Sequence, residues 1–91
     1  MDLLIISRKY IKIERRNNSR YIVFNIDECK VFKDEHRKKF VKSIIELKEN
    51  NKEGELKLIN RLEELLSNTL KLKVRINTEK NSQTLERKKI K

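Results

Sequence analysis

The chain has 91 residues, a formal net charge of +10, 36% hydrophobic residues and 42% charged residues. A chain of this length forms one small domain and leaves little room for a deep, water-excluding catalytic site. The excess of Lys and Arg over Asp and Glu attracts anions, so the composition favours a polyanionic partner, in the first place a nucleic acid.

Cysteine content and hydropathy predict the cellular location. Cys29 is the single cysteine, so the chain cannot form an internal disulfide, and a reducing compartment fits this composition. The apolar residues 3–6 form a run too short for a signal peptide or a membrane span. We therefore expect a cytoplasmic protein without a membrane partner.

Residues 3–27 predict two strands joined by a tight turn. Residues 3–16 carry apolar side chains at a two-residue period, with a break near Ser7 that suggests a bulge or bend. Asn17 and Asn18 suit the left-handed turn of a hairpin, and residues 20–27 form the second strand. A two-residue loop at this position places Ile13 opposite Ile22 and Ile11 opposite Phe24. The apolar residues of both strands then lie on one face, as a correct register requires.

The middle of the chain predicts two helices. Residues 34–49 carry apolar side chains at helical spacing; these are Phe40, Val41, Ile44, Ile45 and Leu47. Residues 50–54 interrupt the pattern and contain the only glycine, Gly54. A second helix is predicted over residues 55–68. Its inward side chains are predicted to be Leu56, Ile59, Leu62, Leu65 and Leu66.

Residues 70–77 alternate apolar and cationic side chains and predict a half-buried strand. Residues 78–91 lack an apolar period and are expected to form a basic, mobile tail. The predicted order is β-β-α-α-β, a small α+β domain over residues 1–77. Its two helices would pack on one face of a small sheet and leave the other face to solvent.

The solvent face of that sheet is the main candidate binding surface. It interleaves aromatic rings, on which bases can stack, with cations that can neutralise phosphates. Its candidate residues are Arg8, Tyr10, Lys12, Arg16, Tyr21, Lys71, Lys73 and Arg75. A second basic cluster lies on the first predicted helix and consists of Arg37, Lys38 and Lys42.

The sequence therefore predicts binding of RNA or single-stranded DNA, without catalysis and without a cofactor or metal. One alternative is a protein-interaction module, an adaptor or inhibitor of viral or mobile-element origin that grips an acidic surface. A small ribonuclease is the next alternative. Asp27 and the Glu28 to Lys30 segment resemble the Asp…Glu-x-Lys pattern of metal-dependent nucleases, but Glu46 to Lys48 repeats Glu-x-Lys in this lysine-rich chain.

Overall fold

A computed structural model describes residues 3–40 and 43–77. Its elements confirm the predicted α+β class, with two sheets and one long helix. Two single turns of 3-10 helix, Arg8–Tyr10 and Ile26–Glu28, follow the first and third strands. In chain order the other elements are β1 (Leu3–Ser7), β2 (Ile11–Arg16), β3 (Ser19–Asn25), α1 (Asp34–Arg37), β4 (Ile44–Lys48), α2 (Glu55–Leu70) and β5 (Lys73–Asn77).

The antiparallel sheet has the strand order β2-β3-β4 and contains the predicted hairpin. Ile11 faces Phe24 and Ile13 faces Ile22, so the predicted register is confirmed. Asn17 and Asn18 have φ angles of 48° and 65°. Two consecutive left-handed residues match the right-handed twist of the flanking strands, and Asn tolerates this conformation better than most residues do.

The parallel sheet pairs β1 with β5, at opposite ends of the described chain. The expectation of one strand over residues 3–16 was therefore wrong. The turn of 3-10 helix at Arg8–Tyr10 interrupts it and sends the two halves into different sheets. Local hydrogen bonds fix this turn. The Ser7 hydroxyl accepts from the Lys9 N–H at 3.3 Å, and the Arg8 guanidinium donates to the Ile11 carbonyl at 2.7 Å.

The predicted first helix over residues 34–49 was also wrong. Helix α1 ends at Arg37, and Ile44–Lys48 is a strand that pairs with β3. Ile45 and Leu47 fit an inward face at a two-residue period as well as at helical spacing. Pairing with β3 satisfies backbone groups along an otherwise open edge, and this non-local interaction favours the strand.

The second predicted helix is confirmed as α2, but it continues to Leu70. The strand predicted from residue 70 therefore begins only at Lys73. Leu56 and Leu65, both predicted to point inward, are 62% and 37% exposed. The buried stripe of the helix instead consists of Leu58, Ile59, Leu62, Leu66 and Leu70.

A single hydrophobic core joins α2 to the inner faces of both sheets. Ile6, Val74 and Ile76 enter it from the parallel sheet, and Ile22 and Phe24 enter it from the antiparallel sheet. The fold is therefore one main helix against two sheets, and the expected pair of helices on one sheet was wrong. No helix among the described residues is long and apolar enough to cross a bilayer. The predicted tail, residues 78–91, lies outside the described residues.

Candidate nucleic-acid interface

The outer face of the antiparallel sheet carries charges of both signs. Lys12, Arg16 and Lys48 are its cations, and Glu14 and Glu46 are its carboxylates. The Arg16 guanidinium lies 3.1 Å from a Glu46 oxygen and 3.4 Å from a Glu14 oxygen. These two ion pairs offset the positive charge of Arg16 and leave the face close to neutral.

Arg16 also covers the ring of Tyr21. The guanidinium carbon lies 4.3 Å from the ring centroid, within the range of a cation–π contact. Tyr21 lies on the outer face, as predicted, between Glu14 on one side and Lys48 on the other. One face of its ring is therefore in contact with Arg16, and a stacked base would have to displace that side chain or use the opposite face.

Tyr10 was expected on the first strand, but it lies in the 3-10 turn after β1, outside the β2–β3 ladder. Its half-buried ring packs against the core, and the Lys9 ammonium lies 5.2 Å from the ring centroid. Tyr10 lines a groove with Lys12, Val23 and Asn25 on the outer face of the antiparallel sheet, whereas Tyr21 lies nearer the hairpin turn. Four residues of β3 separate Tyr21 from Asn25 by about 13 Å, so the two rings do not form one continuous platform.

The outer face of the parallel sheet has a different composition. Lys73 lies beside Leu3 and Arg75 lies beside Ile5, and all four side chains are exposed. The sequence contains no Asp or Glu in residues 3–13 or 65–77, the two stretches that contain β1 and β5. A groove of about 430 Å³ runs along this face, lined by Leu3, Ile5, Arg75, Ile76 and Asn77.

Lys71 and Arg8, two cations near this sheet, do not lie on strands as predicted. Lys71 is the left-handed cap of α2, with a φ of 61°, and its backbone N–H donates to the Ser67 carbonyl. The prediction that Lys71 lies on a strand was wrong. Its side chain is exposed, and the residue precedes the first residue of β5 by two positions in the chain. Arg8 bonds the Glu55 carboxylate at 2.8 Å and thereby ties the first 3-10 turn to the start of α2.

The second basic cluster is only partly described. Arg37 donates to the Asp34 carboxylate at 3.1 Å and to the Cys29 carbonyl at 3.4 Å. This side chain therefore anchors α1 to the preceding loop. Lys38 follows α1 and is exposed, without an ion pair among the residues described. Lys42 lies outside the described residues.

Arginine and lysine have separate roles in the part of the chain that the structure describes. Each described arginine except Arg15 lies within 4.0 Å of a carboxylate oxygen. All described lysines are exposed, and none of them has such a partner. The planar guanidinium fork matches a carboxylate, which explains its use in internal ion pairs. The exposed lysines therefore supply most of the charge available to a partner.

A cleft at the tip of the hairpin was not predicted. It has a volume of about 320 Å³ and is lined by Arg15, Asn18, Ser19, Arg20, Glu49 and Lys52. Arg15 and Arg20 face each other across β2 and β3, an arrangement that the predicted register already implied. Arg20 bonds the Glu49 carboxylate, and this hydrogen bond raises the pKa of the guanidinium above its ordinary value. Glu49 therefore reduces the positive charge of the cleft.

The residues of the nuclease-like pattern and the other potential metal ligands do not converge in the described part of the chain. No group of three or more His, Cys, Asp and Glu side chains in residues 3–40 and 43–77 could hold a metal ion. Asp27 and Glu28 are exposed, whereas Cys29 is fully buried, and this burial raises the pKa of its thiol. His36 Nδ1 accepts a hydrogen bond from the Lys33 N–H at 3.1 Å and so helps to form the first turn of α1.

No family model matches this chain, and neither a curated protein nor a solved structure matches it.

Proposed function

We propose that this chain binds the phosphate backbone of RNA or single-stranded DNA, without catalysis, through the outer face of its parallel sheet. The observation that carries the proposal is that Lys73 and Arg75 lie beside exposed Leu3 and Ile5. The two strands of this sheet contain no Asp or Glu. Lysine ammonium groups can neutralise phosphates, and the aliphatic side chains offer contact area to unpaired bases.

Several cations lie close to this face in the chain. Lys71 precedes β5, and Lys9 follows β1 within the 3-10 turn. Both are exposed and without a carboxylate partner in the described residues. Arg75 lies 4.0 Å from Glu63, the limit of an ion pair, and its side chain is 62% exposed. Together with Lys73, these positions supply about three to four phosphate contacts.

The salt dependence of binding tests this proposal. Each phosphate contact on a single strand contributes about −0.7 to the slope of log affinity against log salt, so three to four contacts give a slope of about −2 to −3. Fluorescence anisotropy with labelled single-stranded RNA and DNA, from low to moderate salt, measures the slope. Absence of binding at low salt, or a slope near zero, contradicts the proposal.

A protein with an acidic surface is the competing partner for the same cations. The ratio of absorbance at 260 nm to that at 280 nm, measured on the purified protein before and after a high-salt wash, separates the two. Co-purifying nucleic acid that the wash removes supports the proposal. A co-purifying acidic protein, together with no nucleic acid, favours the protein-interaction alternative.

A further inference from the structure

Among residues 3–40 and 43–77, strand β1 has an open edge. It pairs with β5 on one side, and on the other side none of its backbone groups has a hydrogen-bond partner among the described residues. An open strand edge presents a row of N–H and C=O groups that can pair with another strand.

The edge of β5 is closed by contrast. The Ser67 hydroxyl accepts from the Val74 N–H at 3.0 Å, and a Glu63 carboxylate oxygen accepts from the Ile76 N–H at 2.7 Å. Both acceptors lie on α2, which leads into β5 through a short turn. The parallel sheet can therefore add a strand beside β1 but not beside β5.

The side chains of β1 are suited to burial at such a junction. Leu3 and Ile5 are 51% and 55% exposed, although Leu4 and Ile6 on the opposite face point towards the core. The strand contains no charged residue and no proline, which are common means by which proteins protect an edge strand.

We propose that β1 pairs with β1 of a second copy of this chain, in an antiparallel arrangement with its two-fold axis at Ile5. Ile5 then faces Ile5 of the second copy, Leu3 faces Ser7 and Leu4 faces Ile6. Each pair joins residues of the same sheet face, so both inner faces remain on one side. The product is one continuous four-stranded sheet in the order β5-β1-β1-β5.

The charge distribution permits a second copy at the β1 edge and disfavours one at the β5 edge. Pairing through β1 keeps the Lys73 and Arg75 rows of the two copies three strand spacings apart, about 14 Å. This distance exceeds the Debye length of about 8 Å at physiological salt, so their mutual repulsion is largely screened. Pairing through β5 would instead bring these cations to within about 5 Å of one another. In the β1 dimer, the two uncharged β1 strands separate the two cationic β5 strands.

The dimer proposal rests on the open edge and the side chains of β1 and does not depend on nucleic-acid binding. Either proposal can therefore be wrong while the other is right. Sedimentation velocity in high salt, after nucleic acid has been removed, measures the mass over a range of micromolar to sub-millimolar concentrations. We expect twice the chain mass of 11.1 kDa. We expect Ile5→Lys to be monomeric, because it places two ammonium groups together at the two-fold axis. Leu56→Lys alters a side chain that is 62% exposed on α2 and should remain dimeric.

Cross-linking provides a test that does not require the dimer to be disrupted. Residues directly opposite in an antiparallel pair have Cβ atoms about 4.5–5.5 Å apart, so Ile5→Cys in both copies needs only a small local shift to form an intermolecular disulfide on mild oxidation. Leu56→Cys is the matched control, and the native thiol of Cys29 is buried in both variants. A wild-type chain that stays monomeric, an Ile5→Lys variant that stays dimeric, or equal cross-linking of the two cysteine variants overturns the proposal.

Discussion

The two sheets present outer faces of different electrostatic character, although both carry exposed cations. On the antiparallel sheet, Glu14 and Glu46 lie within ion-pair distance of Arg16. On the parallel sheet, Lys73 has no such partner among the described residues, and Arg75 has one only at 4.0 Å. Glu14 is two residues from Arg16 on β2, and Glu46 lies two strands away on β4, so the long Arg16 side chain reaches both carboxylates and they offset its charge. Net charge therefore predicts that a polyanion can bind, and the pairing of individual charges indicates where.

Charge reversal on one face or the other gives the largest expected difference in single-strand affinity. Lys73→Glu with Arg75→Glu and Lys12→Glu with Lys48→Glu change the net charge by the same amount. Charge-assisted contacts contribute roughly 1.5–3 kcal/mol each, and less where they are exposed. We therefore expect at least a tenfold loss of single-strand affinity, about 1.4 kcal/mol, for the first variant, and a clearly smaller loss for the second. Anisotropy titrations at one low salt concentration measure both.

The stability of these variants needs a separate measurement because Arg75→Glu places a second carboxylate near Glu63. Thermal melting shows whether each double variant remains folded. Surface substitutions usually change the free energy of unfolding by no more than about 0.5 kcal/mol each. If the first double variant unfolds, Lys73→Glu and Lys12→Glu form the matched single pair. Equal losses of affinity within a folded pair would show that binding is diffuse and that the two faces are equivalent.

The hairpin illustrates what local sequence can predict. Asn17 and Asn18 fix a two-residue turn, and only one register then places Ile11, Ile13, Ile22 and Phe24 on one face. The predicted outer position of Tyr21 followed from this register. The cover that Arg16 provides did not, because its second carboxylate, Glu46, lies on a strand 30 residues away in the chain.

Non-local pairing explains what the sequence did not predict. The segment Ile44–Lys48 fits both a helical and a strand period, and the choice depends on the open edge of β3. The partnership of β1 with β5 joins the two ends of the described chain and follows from no local pattern. The candidate site was affected in the same way. Lys71, Lys73 and Arg75 were expected on the same sheet as the hairpin, but Lys71 caps α2 and the other two residues lie on a separate sheet.

Removal of carboxylates should make the two faces more alike. Glu14→Gln with Glu46→Gln releases the Arg16 guanidinium from both ion pairs and raises the net charge by two. We expect single-strand affinity to rise several-fold, since each newly available cation adds about one phosphate contact and makes the salt slope more negative by about 0.7. Anisotropy titrations over a salt series measure both changes.

The matched control for this change is Glu35→Gln with Glu64→Gln. Both side chains are exposed, and neither has an ion pair among the described residues. The control adds the same net charge without releasing a cation, so its effect reports the long-range field alone. An equal rise in both double variants would mean that total charge decides affinity and that the ion pairs of Arg16 do not matter.

Substitution of Tyr21 gives the smallest expected change in single-strand affinity and tests whether a base stacks on its ring. A stacked base is worth about 1–3 kcal/mol by alanine substitution, whereas an exposed cation–π contact is worth about 0.5–1 kcal/mol. A base that displaces Arg16 from the ring gains only the difference, and it also disturbs the ion pairs with Glu14 and Glu46. We therefore expect Tyr21→Ala to weaken single-strand binding by less than about 1 kcal/mol, or about fivefold. Tyr21→Phe keeps the ring and is the control. A loss of 1–3 kcal/mol for single strands, with duplex binding and the Tyr21→Phe variant unaffected, would locate a base on the antiparallel sheet and contradict the assignment of binding to the parallel sheet alone.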